Sequence, residues 1–257
     1  MATAPSPDEI YERAKHEGHR RLSMSPLDKV ATAFIAGVTI VFGIVALGVV
    51  EGLLKPDVGT GVATVVGALA FALGVVFLIV GRSELFTEDF FDPVAAAIEE
   101  EGRKPWVLLG RLWVLTLALN LVGGAILVAL MTVPGALPTG AADALVSVAE
   151  DIAAKGWAAT LVRAVFAGAL ITLLSYMVRA CNGVAAQILV AFLAGFLLAL
   201  GPFDHVVVSA LHLLFGIWLS DAVAYADLWF NIGLATAGNM LGGLLLITLT
   251  HTAQVKS

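Results

Sequence analysis

Charged residues are scarce in this chain. Asp, Glu, Lys and Arg together account for 13% of the 257 residues, whereas apolar residues account for 60% and the mean hydropathy is +0.96. Soluble domains contain about a quarter charged residues. Because a water-soluble globule of this length could not bury so much apolar surface, the composition predicts an integral membrane protein.

Cysteine and net positive charge are also lacking. Cys181 is the only cysteine, which excludes an intrachain disulfide and a thiolate metal cage. The formal net charge is −6 and there is no basic stripe, so we expect no nucleic-acid partner. The sequence also has no Ser/His/Asp set, no metal-spaced His/Cys cluster and no phosphate-binding loop. We therefore expect neither an enzyme nor a protein with a cofactor or a metal ion.

Long segments without charge indicate the membrane crossings. Five charge-free windows each exceed the roughly 18–20 residues that cross a hydrocarbon core about 30 Å thick: 30–50, 58–81, 112–142, 180–203 and 228–255. A sixth window, 156–178, contains only Arg163. The sequence thus predicts an all-α domain of six transmembrane helices over residues 30–251, between an N-terminal segment 1–29 and a C-terminal tail 252–257.

Lysine and arginine residues predict the orientation in the membrane. With six spans and the N-terminus inside, three of these residues face outward, namely Lys55, Lys155 and Arg163, and Arg82 falls within the second membrane element. Ten face inward, so both termini are predicted to be cytoplasmic, in the inner membrane of the cell. The ten are Arg13, Lys15, Arg20, Arg21, Lys29, Arg103, Lys104, Arg111, Arg179 and Lys256.

Two amphipathic segments accompany the predicted spans. The first 29 residues are polar, and we expect an interfacial helix or a frayed tail there. The outer loop 134–156 carries apolar residues at helical spacing, among them Leu145, Val148 and Ile152. This pattern predicts a helix that lies on the outer surface.

Two apolar elements are too long for one crossing. The run 180–220 is interrupted at 201–205, and the run from 61 to about 101 is interrupted at 81–87. As a single helix, each would reach roughly 60 Å at about 1.5 Å per residue, twice the thickness of a bilayer. The second and fifth helices are therefore predicted to be broken, with two full crossings in place of each as the alternative.

The two halves of the chain share three short patterns in the same order. Because three spans are an odd number, the second copy would enter the membrane from the opposite side, which predicts a 3+3 inverted repeat. The three pairs are Ala36-Gly37 with Ala167-Gly168, Gly81-x-x-Glu84 with Gly201-x-x-Asp204, and Asn120-x-x-Gly123-Gly124 with Asn239-x-x-Gly242-Gly243.

The two breaks also predict helix N-termini at the membrane centre. Thr87 is expected to cap the helix that follows it, and Asp204 is expected to cap the helix that begins near His205. The free N–H groups and the positive dipole ends of two such helices favour an anion between them.

These motifs resemble those of the formate/nitrite transporter family, over about residues 30 to 250. The resemblance implies an aquaporin-like six-helix protomer, usually a homopentamer in the lipid bilayer with one pore per subunit. It implies small monovalent weak-acid anions as substrates, such as formate, nitrite, hydrosulfide or lactate. The resemblance is carried by Ser83-Glu84-Leu85-Phe86-Thr87, Phe203-Asp204-His205, Asn120-x-x-Gly123, Gly238-Asn239-x-x-Gly242 and Ala36-Gly37.

The resemblance also implies roles for individual residues. Thr87 and His205 would form the central polar pair of the pore, and Asn120 and Asn239 would hold the broken segments through hydrogen bonds. Glu84 and Asp204 are expected to stabilise the same loops rather than bind substrate, since ionised carboxylates repel an anion. Apolar constrictions on either side of the pair would be lined by Phe71, Val75, Leu85 and Phe86, with Leu198 at a position that is often aromatic.

The sequence departs from the family pattern at three polar positions. Ser209 stands where the family usually has Asn four residues after the central His, and Thr172 stands where it usually has Asn in the fourth span. Lys155 lies one residue away from the expected lysine at the outer mouth. These departures put the identity of the substrate in question more than the fold.

A histidine in a narrow apolar pore can hydrogen-bond an anion or lend it a proton. Because a bare charge is costly to carry through hydrocarbon, His205 is the residue expected to act on the anion, with or without proton coupling. His212, on roughly the same helix face, is expected to be structural, with a pore-lining role as the alternative. The competing functions are a channel for water or a neutral solute on the same fold and a membrane scaffold or sensor that does not conduct.

Overall fold

A computed structural model describes residues 4–257, and these residues form helices joined by turns, without a β-strand. A 3₁₀-helix, Phe86–Phe90, precedes α3, and a π-helical stretch, Gly242–Thr248, joins α9 to α10. The α-helices are α1 (Pro7–Ser23), α2 (Pro26–Val80), α3 (Asp92–Glu99), α4 (Lys104–Met131), α5 (Ala141–Ala153), α6 (Trp157–Ala180), α7 (Val184–Leu200), α8 (Val206–Leu219), α9 (Tyr225–Leu241) and α10 (Leu249–Lys256).

Four of these helices are long and apolar enough to cross a membrane: α2, α4, α6 and the continuous helix Tyr225–Lys256. The 55-residue helix α2 consists of two straight parts that meet at Gly59, whose φ of 77° and ψ of 168° are not helical. Glycine suits this position because its lack of a Cβ allows a positive φ. Helices α7 and α8 are apolar but shorter.

The polypeptide leaves the helical conformation at two places inside its apolar runs. Residues 81–85 separate α2 from the 3₁₀-helix, and residues 201–205 separate α7 from α8. In both places the backbone exposes peptide groups that helix formation would have satisfied, so other parts of the protein must provide hydrogen-bond partners.

Both predicted caps are wrong. Thr87 lies inside the 3₁₀-helix, and α3 begins only at Asp92 after Phe91, which makes no side-chain capping bond. Helix α8 is capped by His205, whose Nδ1 accepts a hydrogen bond from the Val208 amide at 3.4 Å. The side chains of Thr87 and Asp204 form other contacts that are described below, so neither is available as a cap.

The N-terminal helix α1 is docked on the protein, so of the two expectations for this segment the frayed tail is wrong. Tyr11 and Ala14 are buried, and α1 packs against α3. A Cβ at Gly18 would lie 2.0 Å from the Asp92 carbonyl oxygen, so only glycine permits this close approach. Charged residues on α1 also contribute to the docking through buried ion pairs, which the amphipathic pattern did not indicate.

Helix α5 forms in the predicted loop, and its apolar face packs against other helices. Ala141, Leu145 and Ala149 are buried, and α5 packs against α2 and α8. A Cβ at Gly48 of α2 would lie 2.6 Å from the Leu145 side chain, so the glycine provides the space that this leucine fills. The apolar stripe of α5 therefore faces protein.

Candidate functional site

The Asn120 side chain binds the first non-helical segment from α4. Its Oδ1 accepts a hydrogen bond from the Phe86 amide at 2.9 Å, and its Nδ2 donates to the carbonyl oxygens of Glu84 at 3.0 Å and Ala33 at 2.7 Å. Asn120 is fully buried. One side chain thus satisfies three backbone groups that would otherwise be unpaired in an apolar environment.

Asn239 makes the same three contacts with the second non-helical segment. Its Oδ1 accepts from the Val206 amide at 2.9 Å, and its Nδ2 donates to the carbonyl oxygens of Asp204 at 3.0 Å and Ala164 at 2.8 Å. The partners of Asn120 and Asn239 correspond one to one in the two halves of the chain. The recurring sequence motifs therefore mark recurring hydrogen bonds.

Glycines bring the helices that carry these asparagines close to their neighbours. A Cβ at Gly37 would lie 2.0 Å from the Asn120 carbonyl oxygen, and a Cβ at Gly168 would lie 2.0 Å from the Asn239 carbonyl oxygen. Both contacts are far shorter than any real Cβ contact, so a larger residue would separate the helices. The small residues are needed for this approach, as in other membrane helix packing.

Thr87 and His205 meet where the two non-helical segments approach each other. Thr87 Oγ1 lies 2.6 Å from His205 Nε2, and both residues are buried, with at most 1% of their surface exposed. Because His205 Nδ1 accepts the Val208 amide, Nε2 carries the proton of the neutral ring and donates it to Thr87 Oγ1. The Thr87 hydroxyl proton then remains available to another acceptor.

Other polar side chains surround this pair. Thr172 Oγ1 donates to the Thr87 carbonyl oxygen at 3.4 Å, and Ser209 Oγ donates to the His205 carbonyl oxygen at 2.9 Å. Ser209 Oγ also lies 2.6 Å from the side-chain amide of Asn231 on α9. Asn231 is buried and was not singled out from the sequence, although an asparagine in a charge-free window was a signal for it.

One cavity approaches the pair from the side of α1. This α1-side cavity has a volume of about 280 Å³ and is lined by residues that include Glu84, Glu88, Ser175 and Arg179. Arg179 lies in the last turn of α6. The lining is polar and charged, and it includes Glu17, Arg20 and Arg21 of α1.

A second cavity approaches the pair from the side of α5. This α5-side cavity has a volume of about 510 Å³, and Arg163 in the second turn of α6 is among its lining residues. At about 1.5 Å per residue, Arg163 and Arg179 lie about 24 Å apart along α6, so the two cavities open at opposite ends of that helix. Six of the predicted site residues line the α5-side cavity: Phe71, Leu198, Asp204, His205, Ser209 and Lys155.

Protein fills the space between the two cavities. Glu88 lines the α1-side cavity, and the hydroxyl of the preceding residue, Thr87, is bonded to His205, which lines the α5-side cavity. The Thr87–His205 contact therefore lies between the two lining surfaces. Seven of the predicted site residues line neither cavity and are at least 96% buried: Val75, Leu85, Phe86, Thr87, Asn120, Thr172 and Asn239.

The two acidic residues of the motifs form ion pairs rather than helix caps. Glu84 is paired with Arg20 at 2.7 Å and with Arg21 at 2.9 Å. Asp204 is paired with Lys155, and its other oxygen lies 3.7 Å from Arg163 Nε. Each acid thus neutralises cations beside one cavity, which lowers the cost of burying both charges.

Glu17 shows how strongly α1 is held. Burial by itself would raise the pKa of the Glu17 carboxyl, but the hydrogen bond from Arg20 and the charges of Arg21 and Arg179 outweigh burial and lower the pKa to about 2. Arg21 also reaches Asp89, at 3.0 Å. The spacing of Glu17, Arg20 and Arg21 on one helix was a sequence signal for a local ion pair, but it gave no sign of the partners from the membrane domain.

An all-helical chain with helices long enough to cross a membrane, and with two cavities that approach one buried polar pair from opposite ends, has the architecture of a membrane channel or transporter. A family model for formate/nitrite transporters matches residues 8–253. The chain therefore belongs to the formate/nitrite transporter family, which consists of transport proteins rather than enzymes. The family resemblance inferred from the motifs is confirmed.

Three named relatives each match 88% or more of the chain. It is 25% identical over 249 residues to the inner membrane protein YfdC of Escherichia coli K12, covering 96% of this chain and 78% of YfdC. It is 27% identical over 283 residues to the formate channel FocA of the same strain, covering 98% and 91%. A probable formate transporter of Methanothermobacter thermautotrophicus is 26% identical over 245 residues, covering 88% and 89%.

Solved structures show the same fold. An FNT family ion channel superposes with a TM-score of 0.80 at 21% sequence identity, covering 95% of this chain and 98% of the other. A pentameric formate channel with formate bound superposes with a TM-score of 0.74 at 18% identity, covering 90% and 98%.

Proposed function

We propose that this protein is a channel or transporter for small monovalent weak-acid anions, such as formate or nitrite. The relatives named as formate channels and transporters support this substrate class. The observation that carries this proposal is the Thr87–His205 hydrogen bond, which lies between two cavities that open at opposite ends of α6. An anion that crosses the protein along this line must pass His205.

The chemistry at His205 follows from the low polarity of its surroundings. Moving an unpaired ion from water into a medium like hydrocarbon costs tens of kcal/mol in the idealised limit. The His205 ring offsets this cost by donating a hydrogen bond to the anion or by lending it a proton, so that the species in the narrowest part is close to neutral. Thr87 completes the site with a hydroxyl that can donate to the same anion.

We propose roles for the remaining predicted residues on either side of the Thr87–His205 pair. Phe71 and Leu198 narrow the α5-side cavity, and Val75, Leu85 and Phe86 form the apolar walls of the constriction. Asn120 and Asn239 hold the two non-helical segments, and Thr172 and Ser209 fix the backbone at Thr87 and His205. Glu84 and Asp204 stabilise the same segments through ion pairs, and Lys155 attracts anions to the α5-side mouth.

We propose that the two halves form a 3+3 inverted repeat with the second and fifth of six transmembrane elements broken. The matching hydrogen bonds of Asn120 and Asn239 and the matching contacts of Gly37 and Gly168 support this arrangement. With three elements in each half, the two halves enter the membrane from opposite faces, so their broken elements approach the Thr87–His205 contact from opposite sides. This agrees with the opposite positions of the two cavities.

We further propose a homopentamer in the inner membrane with both termini in the cytoplasm. The pentameric formate channel of the same fold supports the assembly, and the inner membrane location of YfdC supports the membrane. The excess of Lys and Arg on the α1 side supports the orientation, because such residues accumulate on the cytoplasmic side. The α1-side cavity then opens to the cytoplasm and the α5-side cavity to the outside.

Anion uptake into proteoliposomes tests the function. We expect the wild-type protein to accelerate uptake of formate or nitrite, and we expect His205→Ala to reduce it at least about tenfold, the effect of one hydrogen bond to a charged group. The conservative variant His205→Asn, which keeps a hydrogen-bond donor, should retain more flux than alanine.

Two outcomes would contradict the proposal. If wild type and His205→Ala move formate, nitrite and chloride at the same rates, the central histidine does not act on the anion. If the wild-type protein moves no anion but accelerates osmotic swelling with water or glycerol, the protein is a neutral-solute channel on this fold.

A further inference from the structure

His212 is a buried histidine in the α5-side cavity to which the proposed pathway assigns no role. It lies on α8, its side chain is 4% exposed, and it lines the cavity. Its Nδ1 atom is buried and has no hydrogen-bond partner among residues 4–257. Leaving such a group unpaired costs about 1–3 kcal/mol, so an unpaired ring nitrogen at a cavity wall indicates a place for a ligand.

His212 shares one face of α8 with the central histidine. His205, Ser209 and His212 follow each other at intervals of four and three residues, and all three line the α5-side cavity. His205 and Ser209 have partners within the protein, whereas His212 Nδ1 has none. Of the three side chains, His212 is therefore the one that can donate to a molecule in the cavity without breaking an existing bond.

A local excess of positive charge lies in the same cavity. Lys155 and Arg163 share a single carboxylate, Asp204, so the three groups together carry one net positive charge. Arg163 Nε is buried and makes no hydrogen bond, because its distance of 3.7 Å to Asp204 Oδ2 is too long. The Lys155 charge is within electrostatic range of the His212 ring.

Other charges of the cavity offset this charge. Glu51, Lys55 and Asp151 also line the wall, so the formal charge of the whole lining is balanced. Lys55 lies one helical turn from Glu51, where the two can pair with each other, and Asp151 lies four residues before Lys155 and acts on its charge. What the cavity offers an anion is therefore the pair of unpaired groups, Arg163 Nε and the His212 ring, rather than a net positive charge.

We propose that His212, Lys155 and Arg163 form a second anion-binding site in the α5-side cavity, which a small monovalent oxyanion occupies before it reaches His205. The His212 ring N–H donates to an oxygen of the anion, and the two cations supply the charge. At about 1.5 Å per residue, His212 lies about 10.5 Å along α8 from His205, so the two sites are separate and lie in series. Several weak sites in series suit conduction better than one tight site.

This inference rests on the proposed anion transport, and the test separates the two. The initial rate of formate or nitrite uptake into proteoliposomes is measured against concentration for wild type and His212→Asn. We expect the half-saturating concentration to rise about tenfold with little change in the maximal rate, since the lost hydrogen bond acts on binding. A wild type without any anion uptake would overturn the proposed function instead.

A matched histidine variant controls for general effects. His19 lies on α1, is exposed, and pairs only with Glu100 at 3.0 Å. His19→Asn should therefore have wild-type half-saturation. If His212→Asn also has wild-type half-saturation for formate and nitrite, the second site does not exist.

A binding measurement keeps the inference testable if transport by a variant is too slow to measure. Sodium formate should raise the melting temperature of the detergent-solubilised wild type, because a ligand that binds only the folded state stabilises it. His212→Asn and Arg163→Gln should each need about ten times more formate than the wild type for the same shift of the melting temperature. Arg163→Lys keeps the charge and should need less formate than Arg163→Gln. Equal shifts in wild type, His212→Asn and Arg163→Gln would overturn the second site.

Discussion

Thr87 Oγ1 and His205 Nε2 lie 2.6 Å apart although 118 residues separate them in the chain. Thr87 lies in the 3₁₀-helix directly after one non-helical segment, and His205 is the last residue of the other. Each segment is fixed by an asparagine from a neighbouring helix. The bond therefore depends on both halves of the protein.

Replacing Thr87 by valine should impair transport more than folding. Valine has nearly the shape of threonine but leaves His205 Nε2 without a partner, which we expect to cost about 1–3 kcal/mol of stability. Anion flux in proteoliposomes should fall about tenfold, because the hydroxyl that meets the anion is lost. Thr39→Val is the control, since Thr39 is only partly buried and its hydroxyl bonds only to its own helix. Unchanged flux in Thr87→Val would exclude a direct role of the hydroxyl.

Replacing Asn239 by alanine should destabilise the protein strongly. The change removes three buried hydrogen bonds and leaves the Val206 amide and two carbonyl groups unpaired, at about 1–3 kcal/mol for each group. We expect a markedly lower melting temperature in detergent, with Asn120→Ala similar in size because its contacts are the same. Asn182→Ala is the matched control because Asn182 is exposed. Melting temperatures that match this control would show that the bonds contribute little.

Replacing Gly168 by alanine should separate two helices. A Cβ there would lie 2.0 Å from the Asn239 carbonyl oxygen, so the backbone of α6 or α9 must move. Gly233 on α9 has no atom within 4 Å of its Cβ position, and alanine there should be neutral or stabilising by up to about 1 kcal/mol, the difference in helix propensity. The yield and melting temperature of the two variants in detergent measure the difference. A Gly168→Ala protein as stable as Gly233→Ala would contradict the tight packing.

The docking of α1 should weaken in acid because of Glu17. Its pKa is lowered from 4.5 to about 2 in the folded protein, so its stabilising effect is complete above pH 4.5 and is lost as the pH falls towards 2. After allowance for solvent screening, the loss is about 1–2 kcal/mol. Hydrogen exchange of the α1 amides should therefore accelerate in the wild type over this range.

The variant Glu17→Gln provides the comparison for that measurement. Because glutamine does not titrate, the difference between the two proteins should be largest at pH 4.5 and above and should vanish near pH 2. A difference that stays constant from pH 5 to pH 2 would show that the Glu17 carboxylate does not hold α1.

Much of the fold could be predicted because membrane sequences follow simple rules. The charge-free windows indicate the long helices, and the Gly-rich interruptions at 81–87 and 201–205 lie where the helices end. The Asn motifs indicated hydrogen bonds, since an amide in an apolar helix needs partners. The family could be inferred from the same motifs.

Contacts between distant charges could not be predicted. Nothing local to Arg21 shows that it meets Glu84 and Asp89, and nothing local to Asp204 shows that it pairs with Lys155 instead of capping α8. A helix cap and an ion pair compete for the same carboxylate, and the position of the cation decides between them. For the same reason the sequence did not predict that α1 docks on the rest of the protein.

The sequence by itself determined that this protein is a membrane protein, which segments are long and apolar enough to cross the membrane, and where the helices are interrupted, because hydrophobicity and glycine act through a few neighbouring residues. Only the tertiary structure decided that His205 faces Thr87, that α1 is docked by buried ion pairs, and that His212 lines the same cavity as Lys155 and Arg163. These relationships join residues far apart in the chain, and their energies depend on distance and burial, which no local pattern of residues contains.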